Sequence, residues 1–148
     1  MNKEIIGYIG GVWDLFHIGH ITILRNCKAL CDKLIVGVTV DKMVSYKCKG
    51  KKTVIPFNER IDVIRNIKFV DCAIPQELIN KYEIWKRIKF NILFVGDDWY
   101  KNHKWKEYEN KLKKKGIKII YFPYTKGTTS TLINQTLERL RKTHKKGE

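Results

Sequence analysis

The sequence predicts an α/β fold, a doubly wound parallel sheet of Rossmann-like form. Three observations carry that prediction. Short apolar runs without alternation, such as EIIGYIGG (4–11) and LIVGVTV (34–40), read as strands covered on both faces. Amphipathic stretches with helical spacing separate them. The polar, glycine-rich segments GGVWDLFHIGH, VDKMVSYKCKGKK, GDDW and PYTKGTTST all follow strands. That is the edge at which open α/β sheets bind ligands.

Taken in order, residues 4–11 form the first strand and HITILRNCKALCDK (20–33) the first helix. Ile21, Ile23, Leu24, Cys27, Leu30 and Cys31 supply that helix's apolar face. Residues 34–40 complete a βαβ unit. SYKCKGKK (45–52) lacks periodicity and reads as a basic loop. After Pro56, Phe57, Ile61, Ile64 and Ile67 recur at helical spacing, and DCAIP (71–75) is a short strand. ELINKYEIWKRIKF (77–90) is a helix, and NILFVGDDW (91–99) a strand running into an acidic turn. KWKEYENKLKKKG is a helix stopped by Gly116, IKIIYFP (117–123) the last strand, and STLINQTLERLRK the closing helix. One domain over 1–148 is expected, with 142–148 a frayed tail.

Composition narrows the class. Hydrophobic residues at 43% and charged residues at 30% suit a packed domain. No apolar run reaches the roughly 20 residues of a membrane span, and the start Met1-Asn-Lys-Glu is unlike a signal peptide. A cytoplasmic protein is expected, with Cys27, Cys31, Cys48 and Cys72 reduced. The net charge of +15 rests on 24 lysines and 6 arginines. Base and phosphate readers favour the arginine fork. The charge therefore points to small polyanions, with a basic RNA-binding module as the alternative from another class.

His17 and His20 stand three apart at a strand-to-helix seam. A metal site, a packing pair and an anion site are all open on the residues alone. Zinc needs further nitrogen or sulfur donors. Gly19 would admit close approach to the backbone, and a helix N-terminus offers free N–H groups to an anion. Imidazoles there could donate to phosphate oxygens in a transition state.

His17-Ile18-Gly19-His20 resembles the HxGH signature of the nucleotidyltransferase superfamily. The longer GVWDLFHIGH resembles its cytidylyltransferase branch, which includes the glycerol-3-phosphate, phosphocholine and phosphoethanolamine enzymes. Further segments match in the same order across roughly residues 5–140. KCKGKK resembles the family's lysine loop, NERIDVIRNIKFVD its ER…V-D helix, GDDW (96–99) its glycerol-3-phosphate members, and TKGTTST (125–131) its RTxGISTT turn. Tyr124 stands where the family has arginine, Thr128-Thr129-Ser130 replaces Ile-Ser-Thr, and Val12 replaces a threonine.

The resemblance implies transfer of CMP from CTP to a phosphorylated alcohol, with glycerol 3-phosphate first. Phosphocholine, phosphoethanolamine or another phosphate ester is the alternative acceptor, and ATP the alternative donor. It implies His17, His20, Lys47 and Lys49 as catalytic residues. Gly11, Val12, Trp13, Asp14, Gly19, Asp71, Gly96, Asp98, Tyr124, Thr125, Gly127, Thr129, Ser130 and Thr131 would line the nucleotide. Lys47, Arg60, Lys68 and Trp99 would meet the acceptor. Mg²⁺ would come with CTP, without a direct protein ligand, and Asp14 would orient a histidine or reach the ion indirectly. A homodimer is implied, with no nucleic acid and no membrane span. A choline-type acceptor would want an aromatic cage, for which Trp13, Trp99, Tyr100 and Trp105 are candidates.

Overall fold

The computed structural model describes residues 3–47, 50–96, 104–123 and 130–145. Eleven elements are found among the described residues. They are β1 (Ile6–Gly11), α1 (Ile18–Ala29), β2 (Lys33–Thr39), α2 (Asp41–Lys47), α3 (Phe57–Arg65), β3 (Cys72–Gln76), α4 (Lys81–Ile88), β4 (Ile92–Gly96), α5 (Trp105–Lys114), β5 (Lys118–Phe122) and α6 (Ser130–Lys145). The five strands make one sheet in the order β3-β2-β1-β4-β5, and every pairing is parallel. The chain steps outward from β1 to β3 and then returns to β4 beside β1. The reversal leaves a crevice beyond the carboxyl ends of β1 and β4, the place where such sheets take ligands.

The strand runs are apolar throughout because both faces are covered. On β2, Leu34, Val36 and Val38 pack with Leu24 and Cys27 of α1 and Ile61 and Ile64 of α3. Ile35 points the other way, into a core with Tyr8, Ile84 of α4, and Trp105 and Leu112 of α5. Cys27, Cys31 and Cys72 are free thiols, Cys27 within the first core. Burial pushes the Cys27 and Cys31 thiols up, which suits filler rather than nucleophile. Among the described residues no helix is long and apolar enough to cross a membrane.

Several boundaries differ from the sequence expectation, and α6 runs to Lys145, into the tail expected to be frayed. α1 starts at Ile18 because His17 caps it. Part of the expected basic loop is helical, since α2 takes Asp41–Lys47. Its buried anchor is Val44, too little apolar pattern to announce a helix. α4 starts at Lys81, because the Asn80 side chain accepts the Tyr82 and Glu83 N–H groups.

Two expected site residues lie away from the crevice. Asp71 immediately precedes β3, at the amino edge of the sheet. It accepts from the Leu34 N–H at 2.7 Å and from Lys28 Nζ at 2.6 Å. Burial opposes its ionisation, but these bonds outweigh that and hold its carboxyl below the usual range. Lys68 follows α3 toward the same edge, exposed, with Nζ over the Phe69 ring at 5.3 Å. Neither is placed to touch a ligand at the carboxyl edge.

Candidate active site

The site begins where β1 ends. Beyond Gly11 the backbone turns sharply, with Trp13 and Leu15 both left-handed at φ 58 and 48. Such a φ is costly for residues with a Cβ, so something must hold the turn. Trp13 does part of this. Its indole N–H donates to the Gly37 carbonyl at 3.0 Å, and its ring fills the space where a Gly11 Cβ would stand. The Gly11 side therefore makes room for an indole rather than for a phosphate.

The turn delivers two histidines to the first turn of α1. His17 Nδ1 accepts the Gly19 N–H at 3.0 Å. His20 Nδ1 accepts the His17 N–H at 3.2 Å. The two imidazoles thus cap the helix reciprocally, in the roles a serine and a glutamate commonly take. This fixes their chemistry. A nitrogen that accepts cannot carry the proton, so in the neutral ring the hydrogen sits on Nε2. Both histidines then present an Nε2–H donor away from the helix. Burial lowers the His17 pKa. Burial and the neighbouring His17 push His20 down to about 4, against a smaller opposing pull from Asp14. Phe16 stacks on His20 at 5.1 Å between centroids, and Trp13 meets its edge at 5.5 Å. At neutral pH the arrangement is a pair of neutral imidazoles, His20 held between Phe16 and Trp13, at the positive end of a helix dipole.

Asp14 and Arg60 brace this turn against the next loop. The Asp14 carboxylate accepts the Val54 and Ile55 N–H groups at 2.8 and 3.0 Å. Arg60 lies 1% exposed. It donates to the carbonyls of Val12 (2.6 Å), Thr39 (2.8 Å) and Ile55 (2.9 Å), and to Asp41 at 2.6 Å. The expectation that Arg60 meets the acceptor is corrected here. Its guanidinium is enclosed by backbone carbonyls and acts as an internal tie. Asp41, which sequence reasoning missed, is the anionic end of that tie. It also accepts from Thr53 Oγ1 and from the Phe57 N–H. Burial raises its pKa less than these bonds lower it.

The structure brings Gly11, Val12, Trp13, Asp14, His17, Gly19 and His20 together at the carboxyl edge, with Gly96 at the end of the adjacent β4. Lys47 closes α2, and Ser130 and Thr131 open α6. Lys49, Asp98, Trp99, Tyr124, Thr125, Gly127 and Thr129 lie outside the described residues, as do Cys48 and Tyr100. The cage idea loses two members. Trp13 is 7% and Trp105 1% exposed, with indole N–H groups bonded to Gly37 O and Tyr121 Oη. Trp105 belongs to the second core.

The cytidylyltransferase-like family model matches residues 8–143. The chain belongs to this family. It is similar to the FAD synthase of Pyrococcus abyssi, 33% identical over 146 residues, 93% of this chain and 95% of the relative. It is similar to the glycerol-3-phosphate cytidylyltransferase of Staphylococcus aureus, 30% identical over 136 residues, 91% of this chain and 95% of the relative. The solved lipopolysaccharide core biosynthesis protein from Thermoplasma volcanium matches with a TM-score of 0.67 at 28% identity, covering 85% of this chain and all of that one. The HxGH reading and the Rossmann-like fold are thereby placed in a nucleotidyltransferase of the cytidylyltransferase-like family.

Thr39, Gln76 and Lys81 also reach this edge and escaped sequence reasoning. One signal was available. Lys81 stands three and seven residues before Ile84 and Ile88, so a lysine occupies the apolar stripe of α4.

Proposed function

We propose that this family member transfers CMP from CTP to glycerol 3-phosphate, giving CDP-glycerol and pyrophosphate. The observation that carries the chemistry is the reciprocal histidine cap of α1, in which each Nδ1 accepts a backbone N–H and the proton is left to Nε2. An oxygen of the acceptor phosphate attacks the α-phosphorus and a new P–O bond forms. The bond from that phosphorus to the bridging oxygen of the β-phosphate breaks, and pyrophosphate leaves with the electron pair. His17 and His20 donate to α-phosphate oxygens as charge builds, without giving up their protons. Holding two anions in line is the larger part of the task, since little covalent chemistry falls to the protein.

Lys47 and Lys49 are assigned to neutralising the approaching acceptor phosphate. Thr129, Ser130 and Thr131 are assigned to the β- and γ-phosphates, at the N-terminus of α6. Asp98 and Trp99 of the GDDW segment are assigned to shaping the acceptor pocket. That segment, with the Staphylococcus aureus relative, supports glycerol 3-phosphate. Mg²⁺ supplies charge neutralisation on the triphosphate. With the Asp14 carboxylate already engaged by Val54 and Ile55, it would be held by phosphate oxygens and water. A homodimer is proposed on the same family resemblance.

The Pyrococcus abyssi relative favours a second reading, ATP with FMN, in which the acceptor is again a phosphate monoester. Pyrophosphate release with CTP or ATP, each against glycerol 3-phosphate, phosphocholine, phosphoethanolamine and FMN, separates the two. Release with CTP and glycerol 3-phosphate supports the first. Release confined to ATP and FMN replaces it with the second, and silence across the panel removes both.

A further inference from the structure

On the face of the sheet away from α1, a chain of buried hydrogen bonds ends on the glycine tip of β1. Lys81 Nζ donates to Gln76 Oε1 at 3.1 Å, and the Tyr8 hydroxyl donates to the same oxygen at 2.6 Å. Gln76 Nε2 donates to Thr39 Oγ1 at 3.3 Å, and the Thr39 hydroxyl donates to the Gly11 carbonyl at 3.1 Å. Lys81, Thr39 and Gln76 are 2%, 5% and 7% exposed. Room for them comes from missing side chains. A Cβ on Gly10 would press on Gln76 Oε1 and stand 2.8 Å from Lys81 Nζ, and one on Gly37 would press on the Tyr8 hydroxyl.

The chain has a direction. Lys81 Nζ and the Tyr8 hydroxyl both donate to the same Gln76 atom, which is therefore its oxygen. The amide NH₂ must then face Thr39. The Thr39 oxygen accepts there, and its single proton goes to the Gly11 carbonyl. That carbonyl opens the turn whose left-handed residues, Trp13 and Leu15, lead to His17.

The geometry points to Lys81, Gln76 and Thr39 as a one-way hydrogen-bond relay that fixes the Gly11 carbonyl and through it the aim of His17 and His20. They are positioning residues for nucleotidyl transfer, and this inference rests on the reaction proposed above. Removing Lys81 frees the amide to flip. Replacing the amide by a carboxylate keeps acceptors for Lys81 and Tyr8 but leaves nothing to donate to Thr39. The Thr39 proton then turns to the carboxylate, and Gly11 loses its donor.

Two readouts test this on the full chain, pyrophosphate release and ¹⁵N spectra of labelled histidine. Gln76→Glu and Thr39→Val should keep the wild-type Tm within a few degrees and lower kcat about tenfold with KM nearly unchanged, the signature of misplaced transition-state donors. The double variant should fall no further than either single one, because both cut the same chain. Lys81→Met should follow the same pattern, and Thr39→Ser should restore kcat. In the spectra, the wild type should show unprotonated Nδ1 on both histidines, and the variants a mixture of tautomers. Wild-type kcat and spectra in Gln76→Glu and Thr39→Val overturn the relay, as does a kcat loss that only tracks a lowered Tm. If the wild type releases no pyrophosphate with any pair, the reaction proposal fails, and the spectra alone decide the relay.

Discussion

The two edges of the sheet are finished by opposite chemistry. At the amino edge, strands begin with unpaired N–H groups, and side-chain oxygens accept them. Asp32 takes the Ile5 N–H, Asn91 the Ile6 N–H and Asp71 the Leu34 N–H. At the carboxyl edge, strands end in carbonyls, and side-chain donors meet them. Thr39 bonds Gly11 O, Trp13 bonds Gly37 O, and Arg60 bonds Val12 O and Thr39 O. A parallel sheet imposes this division, since all its strands point the same way. Strand-end N–H groups thus draw side-chain acceptors at one edge, and strand-end carbonyls draw side-chain donors at the other. The reaction proposed above is assigned to the second edge, beside the histidine cap of α1.

The comparison can be broken most severely at Arg60. Arg60→Ala would strip donors from Val12, Thr39 and Ile55 carbonyls and leave Asp41 without its cation. A loss of about 3 kcal/mol or more in urea unfolding is expected, since each buried carbonyl left without its donor costs about 1–3 kcal/mol, while Asp41 is half exposed and adds little. A loss near zero would show that the carboxyl edge is not held from within. Gly10→Ala comes next. The added methyl meets Gln76 and Lys81, and crowding of this kind costs about 1–3 kcal/mol. Equal stability to wild type would mean the polar chain behind β1 yields freely.

The histidine cap sharpens the contrast by pH. The folded His20 pKa, about 4, lies below the ordinary 6.5. Between those values the unfolded chain binds the extra proton, so this group's contribution is intact above about pH 6.5 and is lost as pH falls toward 4. Protonation also places a hydrogen on Nδ1 and breaks the bond from the His17 N–H. The acid limb of kcat controlled by His20 should therefore lie near 4. A limb at 6.5 would contradict the neutral-donor assignment. At the amino edge, Asp71→Asn should change kcat and KM by less than twofold and stability by only about 0–1 kcal/mol, because its partner Lys28 is partly exposed. A large kinetic effect would return Asp71 to the site.

Much of the fold was legible because β1, β2 and β4 are apolar on both faces, a pattern that an alternating strand lacks. The sequence reading sets Asp71 as the first residue of a strand, whereas it immediately precedes β3. Family resemblance alone drew it toward the nucleotide. The burial of Arg60 was not legible, because it depends on carbonyls supplied by distant strands, whereas Lys81 left one trace, its place in the apolar stripe of α4. α2 carries a single buried anchor and gave no periodic signal. The role of Gly10 was hidden because the groups it makes room for come from β3 and α4. A glycine that makes room for a glutamine and a lysine reads, along the chain, like one that makes room for a phosphate.

The central claim is that His20 acts as a neutral donor to the transition state. Its most direct test is the pyrophosphate-release turnover of His20→Ala beside wild type, with thermal unfolding recorded on the same samples. The account predicts a fall of about 100-fold or more in turnover, with the folded state retained. Turnover equal to wild type, with only the Tm lowered, would make His20 a helix cap and nothing more.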